Sequence, residues 1–172
     1  MALIKLNNQS ISAVSALPSG IDTGKVAQAV QVVKTDTTTI NSQTFATITG
    51  LSLNITPSAS NSKILLVMNI TGAGDQSAFR FLRGSTAIGV GASASSRIQV
   101  TAGSPSTNDN KMFEVGMNFL DSPSTTSETT FLVQSRNLNS SHNMKINRSV
   151  DDTDNSQHPR TISTLTAIEI LA

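Results

Sequence analysis

Between Lys111 and Ser135 the chain reads KMFEVGMNFLDSPSTTSETTFLVQS. Phe113, Val115, Met117 and Phe119 alternate with Glu114, Gly116 and Asn118, the period-two pattern of a strand with one buried face. Asp121 to Glu128 then supplies Asp, Ser, Pro and Thr, residues that bend the chain or bond back to their own backbone. Beyond that break, Phe131 and Val133 alternate with Thr130 and Gln134. Two alternating runs about a polar break predict an antiparallel hairpin. Its inward residues would be Phe113, Val115, Phe119, Phe131 and Val133.

The composition favours the same class. Only 13% of the 172 residues are charged, about half the usual share. Ser, Thr and Asn stand in their place; Thr suits strands and Ser and Asn suit turns, while the helix formers Glu, Lys and Arg are scarce. One domain of this length can bury a real core. The net charge is +1 and the basic residues are scattered singly, which argues against nucleic acid or an anionic membrane as partner. Without cysteine there can be no disulfide, zinc–thiolate site or cysteine nucleophile. No signal peptide or membrane span is legible, so a soluble chain outside the usual secretory route is expected.

Residues 1–24 differ from the rest and read as an N-terminal arm ahead of a domain over 25–172. Leu3, Ile4 and Leu6 form an apolar tip, Ile11, Val14 and Leu17 follow at three-residue spacing, and Pro18-Ser19-Gly20 breaks the run. A short helix and an extended arm fit equally. Apolar residues in small separate groups suit contact with a neighbouring subunit, so these six are the candidate partner-binding residues.

From Lys25 onward strands dominate. VAQAVQVV from Val26 to Val33 is followed by a polar loop, TDTTTINSQ. A strand beginning with Phe45, Thr47 and Thr49 is interrupted at Gly50 and resumes over Leu51, Leu53 and Ile55 until Pro57. KILLVMNIT, Lys63 to Thr71, is apolar on both faces and predicts a central strand covered on both sides. Gly72-Ala73-Gly74-Asp75 reads as a turn, Phe79 and Phe81 as a strand closed by Gly84, and Ala87 to Val90 as a short one. Gly91 to Asn110 is a long surface excursion with a strand at Arg97 to Thr101, the kind of segment that carries binding loops. Further strands are expected at Asn143–Asn147 and Thr161–Leu171, the last tying the C-terminus into a sheet. Roughly eight to ten strands at short intervals predict an all-β antiparallel sandwich, a jelly roll first and another Greek-key sandwich second.

Chemistry is not legible. His142 and His158 lack H-x-x-x-H or H-E-x-x-H spacing and read as exposed loop residues. Asp151, Asp152 and Asp154 invite a calcium loop but lack its Gly and terminal Glu, so pairing with Arg148 or Arg160 is the better reading. Ser93 sits in no G-x-S-x-G elbow, nucleotide-binding loops are absent, and the carboxylates nominate no glycosidase pair. Sugar modules commonly stack on Trp or Tyr, and neither occurs. The expectation is no enzyme, no cofactor and no metal.

Four segments carry a resemblance: MALIKLNNQSISAVSALPSG at the start, FLRGSTAIGVG at Phe81–Gly91, FLDSPSTTSETTFLVQ at Phe119–Gln134 and RTISTLTAIEIL at Arg160–Leu171. Together they resemble small virion structural proteins of tailed phages, especially marine cyanophages and pelagiphages. The likeness covers most of the chain in strand-and-turn signatures, with no site motif to transfer. It implies a β-sandwich on the particle surface, often a homotrimer, with the major capsid protein or another virion protein as partner. A capsid decoration (cement) or head-fibre protein is the first expectation. A tail or fibre domain that reads the host surface through loops 91–110 and 151–160 is the second.

Overall fold

The computed structural model describes residues 25–105, 107–140 and 143–171. The arm expected at 1–24, with Leu3, Ile4, Leu6, Ile11, Val14 and Leu17, lies outside the described residues, as does His142. The described strands are β1 (Val26–Lys34), β2 (Thr38–Ile40), β3 (Ala46–Ile55), β4 (Lys63–Gly74), β5 (Ser77–Arg83), β6 (Thr86–Ile88), β7 (Ala102–Gly103), β8 (Thr107–Asp121), β9 (Thr129–Asn137), β10 (Met144–Ile146) and β11 (Ser163–Ile170). No helix occurs among the described residues.

The pairing is that of a jelly roll. Eight strands fold back on one another from the outside in: β1 pairs with β11, β3 with β9, β4 with β8 and β5 with β6, all antiparallel. Ladders β11–β4 and β9–β5 join these pairs into two sheets, β1-β11-β4-β8 and β3-β9-β5-β6. Short β2 and β10 extend the β1 sheet at the far end of β4, and β7 lies beside β5. The all-β sandwich expected from composition is therefore present, and its winding is the first of the two alternatives.

The predicted hairpin is not. β8 pairs with β4 in one sheet, and β9 pairs with β3 and β5 in the other. Residues 122–128 arch between the two sheets, a gap of about 10 Å. Alternation reports that a strand has a buried face, not which strand it is bonded to, and strands on opposite sides of one core show the same pattern. The inward residues are those expected: Phe131 and Val133 are fully buried, Val115 nearly so, and Phe113 and Phe119 pack on the core from its margin. Arg83 of β5 ties the arch down, its Nη1 lying 2.8 Å from Asp121 Oδ2 across the sheets.

The core is aliphatic with three phenylalanines at its centre, Phe79, Phe81 and Phe131, against Ile64, Leu66, Met68 and Ile70 of β4. Each such side chain contributes about 1.5–3 kcal/mol on burial. Two glycine sites shape the strands around it. Gly50, at φ +88°, lies in the register shift of β3, and the stem of the fully buried Lys34 lies over it, 3.5 Å from where a Cβ would stand. Lys34 Nζ reaches out 2.8 Å to Asp36, whose carboxyl is held below its usual pKa by that hydrogen bond. The second site corrects the turn expected at 72–75. β4 continues through Gly74, and a Cβ on Gly72 would collide with the carbonyl oxygen of Lys145. Glycine is there so that β10 can approach.

Two other expectations change. Residues 97–101 form no strand beyond an isolated bridge at Ala94–Arg97, and the polar loop after β1 contains β2. A buried node explains the latter. Asn147, at φ +61°, donates through Nδ2 to the carbonyls of Lys34 and Asp36 at 2.8 and 2.9 Å, and its Oδ1 accepts from Ser163 Oγ at 2.6 Å. Asn137 likewise donates to the Ile40 carbonyl and accepts from Ser77 Oγ, each at 2.8 Å. These amides hold the loop's backbone where β2 can pair. Replacing Asn147 with alanine leaves two backbone carbonyls without that donor, so unfolding in denaturant should show a loss of about 2–4 kcal/mol. A loss under about 0.5 kcal/mol would mean the node is not structural.

Candidate functional site

The side chains that could carry function lie on the two outer sheet faces, in the loops and at one buried carboxylate. The carboxylate is Glu169 of β11. It occupies an inward position beside Ala167 and is fully covered, although near the margin of the fold. Ser58 donates to Oε1 from both its backbone N–H, at 2.7 Å, and its hydroxyl, at 2.6 Å, while Gln28 Nε2 donates to Oε2 at 2.6 Å. Gln28 also reaches the carbonyl of Thr56. The Ser62 hydroxyl lies beside the same carboxylate and also favours its charged form. Burial pushes the Glu169 carboxyl up, but the donors from Ser58 and Gln28 outweigh it and hold the pKa at about 2. With Ser58 and Gln28 both donating to it, this group clamps the β3–β4 loop onto β1 and β11. That is a structural role.

The acidic loop behaves as its neighbours suggested. Asp152 lies 2.7 Å from Arg160 and 3.6 Å from Arg148, and Asp151 exchanges hydrogen bonds with Asn110. Among the described residues no three His, Asp or Glu side chains come together as a metal site. His158 is half-buried rather than exposed, its Nδ1 lying 3.0 Å from Ser149 Oγ. The two segments nominated for recognition, 91–110 and 151–160, meet at one point, where Asn110 and Asp151 exchange hydrogen bonds. The first segment leaves the sheet beside Gly89, which packs on Phe119 of β8. A cavity of about 90 Å³ between β2 and β3, lined with Thr38, Ser42 and Thr47 among others, is far below ligand size.

The outer face of the β1 sheet is unusual. Register places Ala29, Ile168, Leu65 and Leu120 in one row across β1, β11, β4 and β8. Val26 and Ile170 flank it on one side and Val67 on the other. Val26, Leu120 and Val67 are 62%, 45% and 40% exposed, and Leu65, Ile168 and Ile170 are half-buried. The strand expected to be covered on both faces is thus covered on one. The outer face of the β3 sheet is polar in part, with Leu82 opposite Leu132 beside a polar group. There Arg80 Cζ stands 3.8 Å from the centroid of Phe45, Arg136 Cζ stands 5.7 Å from the same ring, and Arg80 donates twice to Gln134. No sequence motif pointed to this group, since its three elements are far apart in the chain.

Comparison with known proteins finds a likeness among solved structures. No protein-family model matches the sequence, and no curated protein does. Among solved structures the chain is similar to one in "Structure of infectious bursal disease virus Gx strain", at 14% identity and a TM-score of 0.38. The match covers 84% of this chain and 37% of that chain, so this chain spans well under half of its length. The jelly-roll assignment rests on the strand pairing itself.

The Glu169 clamp has a pH signature. Its folded pKa lies below the ordinary 4.5, so its contribution is complete above about pH 4.5 and is lost as pH falls toward 2. Glu169→Gln should cost about 1.5–3 kcal/mol near neutrality and flatten the acid limb of stability against pH. An unchanged acid limb in the variant would contradict the assignment.

Proposed function

We propose that this chain is a virion structural protein that decorates and stabilises a phage capsid as a homotrimer, its subunits joined through the outer face of the β1 sheet. The observation that carries the reading is the apolar row on that face. A strand apolar on both sides is the pattern of one buried on both sides. The fold supplies the inner cover; a neighbouring copy would supply the outer one. Contiguous exposed apolar area of this kind marks interaction surfaces, and a closed homo-oligomer buries it without leaving a sticky edge. The resemblance to tailed-phage virion proteins supports the location on the particle, with the arm over 1–24, led by Leu3, Ile4 and Leu6, as the anchor on the shell. A contact role rather than catalysis fits the absence of any legible catalytic motif in the sequence.

A tail or fibre domain for host recognition is the second reading, favoured by the unbroken exposed run from Gly91 to Gln99. The end of the same 91–110 segment is joined to loop 151–160 by the Asn110–Asp151 hydrogen bonds.

Particle location decides between them. Cryo-electron microscopy of the virion is expected to place many copies on the head at symmetry axes, and copies at the tail tip alone would overturn the decoration role. Leu120→Glu puts a charge on an exposed strand position, so it should fold with a change of under about 1 kcal/mol yet fail to appear on the particle.

A further inference from the structure

The polar outer face of the β3 sheet carries a second inference, independent of the first. Arg80 of β5 stands opposite Gln134 of β9, and Arg136 lies one step along, opposite Ala78, so the two arginines are diagonal neighbours on one face. Phe45, just before β3, lies against both guanidiniums. One arginine over a ring is ordinary cover for an aromatic side chain. Two beside the same ring, with no carboxylate within 4 Å of either among the described residues, is a concentration of like charge that the protein leaves uncompensated.

The hydrogen-bond inventory has the same sign. A guanidinium offers five N–H groups; Arg80 commits Nε and Nη2 to Gln134 Oε1, and Arg136 commits Nε to the carbonyl of Asn137. Their remaining Nη groups, and the Gln134 amide nitrogen, meet no protein acceptor among the described residues. What faces outward is a set of donors without acceptors, two of them charged. Stacking on Phe45 and the double bond to Gln134 hold the Arg80 fork in place before any ligand arrives, so little side-chain freedom remains to be lost on binding. Burial beside the ring lowers the Arg80 pKa from its usual value, a sign that water is partly excluded there.

We propose that Arg80, Arg136 and Gln134 form an oxyanion-binding site on the outer face of the β3 sheet, taking the carboxylate or phosphate group of a polar ligand. Planar guanidinium forks bind such groups through paired, charge-assisted hydrogen bonds. The site is on the opposite sheet from the apolar row, so its failure would leave the assembly proposal standing.

The test follows the arginine Nε–H resonances by ¹⁵N–¹H NMR during titration with sodium glucuronate, inorganic phosphate or glucose, at constant ionic strength. Saturable shifts of Arg80 and Arg136 are expected with at least one of the two anions and none with glucose. Which anion saturates at the lower concentration identifies the source. Arg136→Gln should weaken binding about tenfold or more while the backbone spectrum stays that of the folded protein. If that variant does not fold, Arg136→Lys is read in its place: weaker binding with the charge kept supports the site, and unchanged binding overturns it. Shifts that never saturate with either anion, or binding unaffected in Arg136→Gln, also overturn it.

Discussion

The constraint on which the rest of this fold depends is that β4 is bonded along both edges while burying one face completely. Along one edge it pairs with β8 from Ile64 to Gly74; along the other it takes β11 first and β10 beyond it. Its inward Ile64, Leu66, Met68 and Ile70 are the floor on which Phe79, Phe81 and Phe131 of the opposite sheet rest. A lean core of this kind tolerates few polar intruders. Three of the buried polar side chains, Asn137, Asn147 and Glu169, are held by two or more hydrogen bonds each, which is the condition for burying a polar group at small cost.

Much of this was legible in the sequence, and the parts that were not have physical reasons. Alternation located the inward side chains of β8 and β9 correctly because burial of one face is a local property. It could not locate their partners, because pairing is set by how the chain winds; a short polar link serves a hairpin and an arch alike. Gly72-Ala73-Gly74 has turn composition, and its strand conformation follows from the close approach of β10, a contact with residues about seventy positions later. Glu169 left a signal: in TLTAIEI it has the same parity as Leu165 and Ala167, so a charged group at an inward position could have been flagged from the pattern. The Phe45–Arg80–Arg136 group left none. The six apolar residues proposed for the arm lie outside the described part of the chain.

The two outer faces divide the surface by chemistry. One sheet presents aliphatic side chains in a row, suited to a subunit contact from which water is expelled. The other presents arginines and amides, suited to a small charged group that remains partly hydrated. A jelly roll allows this division because each sheet shares one core but owns its own outer surface, so substitutions on one face need not disturb the other. The long 91–110 segment and the acidic 151–160 loop touch where Asn110 meets Asp151.

The central claim is that the outer face of the β1 sheet is buried between copies of this chain. Its most direct test is the molar mass of the full-length protein in solution, measured by light scattering across a range of concentrations. A mass three times that of the chain is the predicted result. A protein that remains a monomer at every concentration would contradict it.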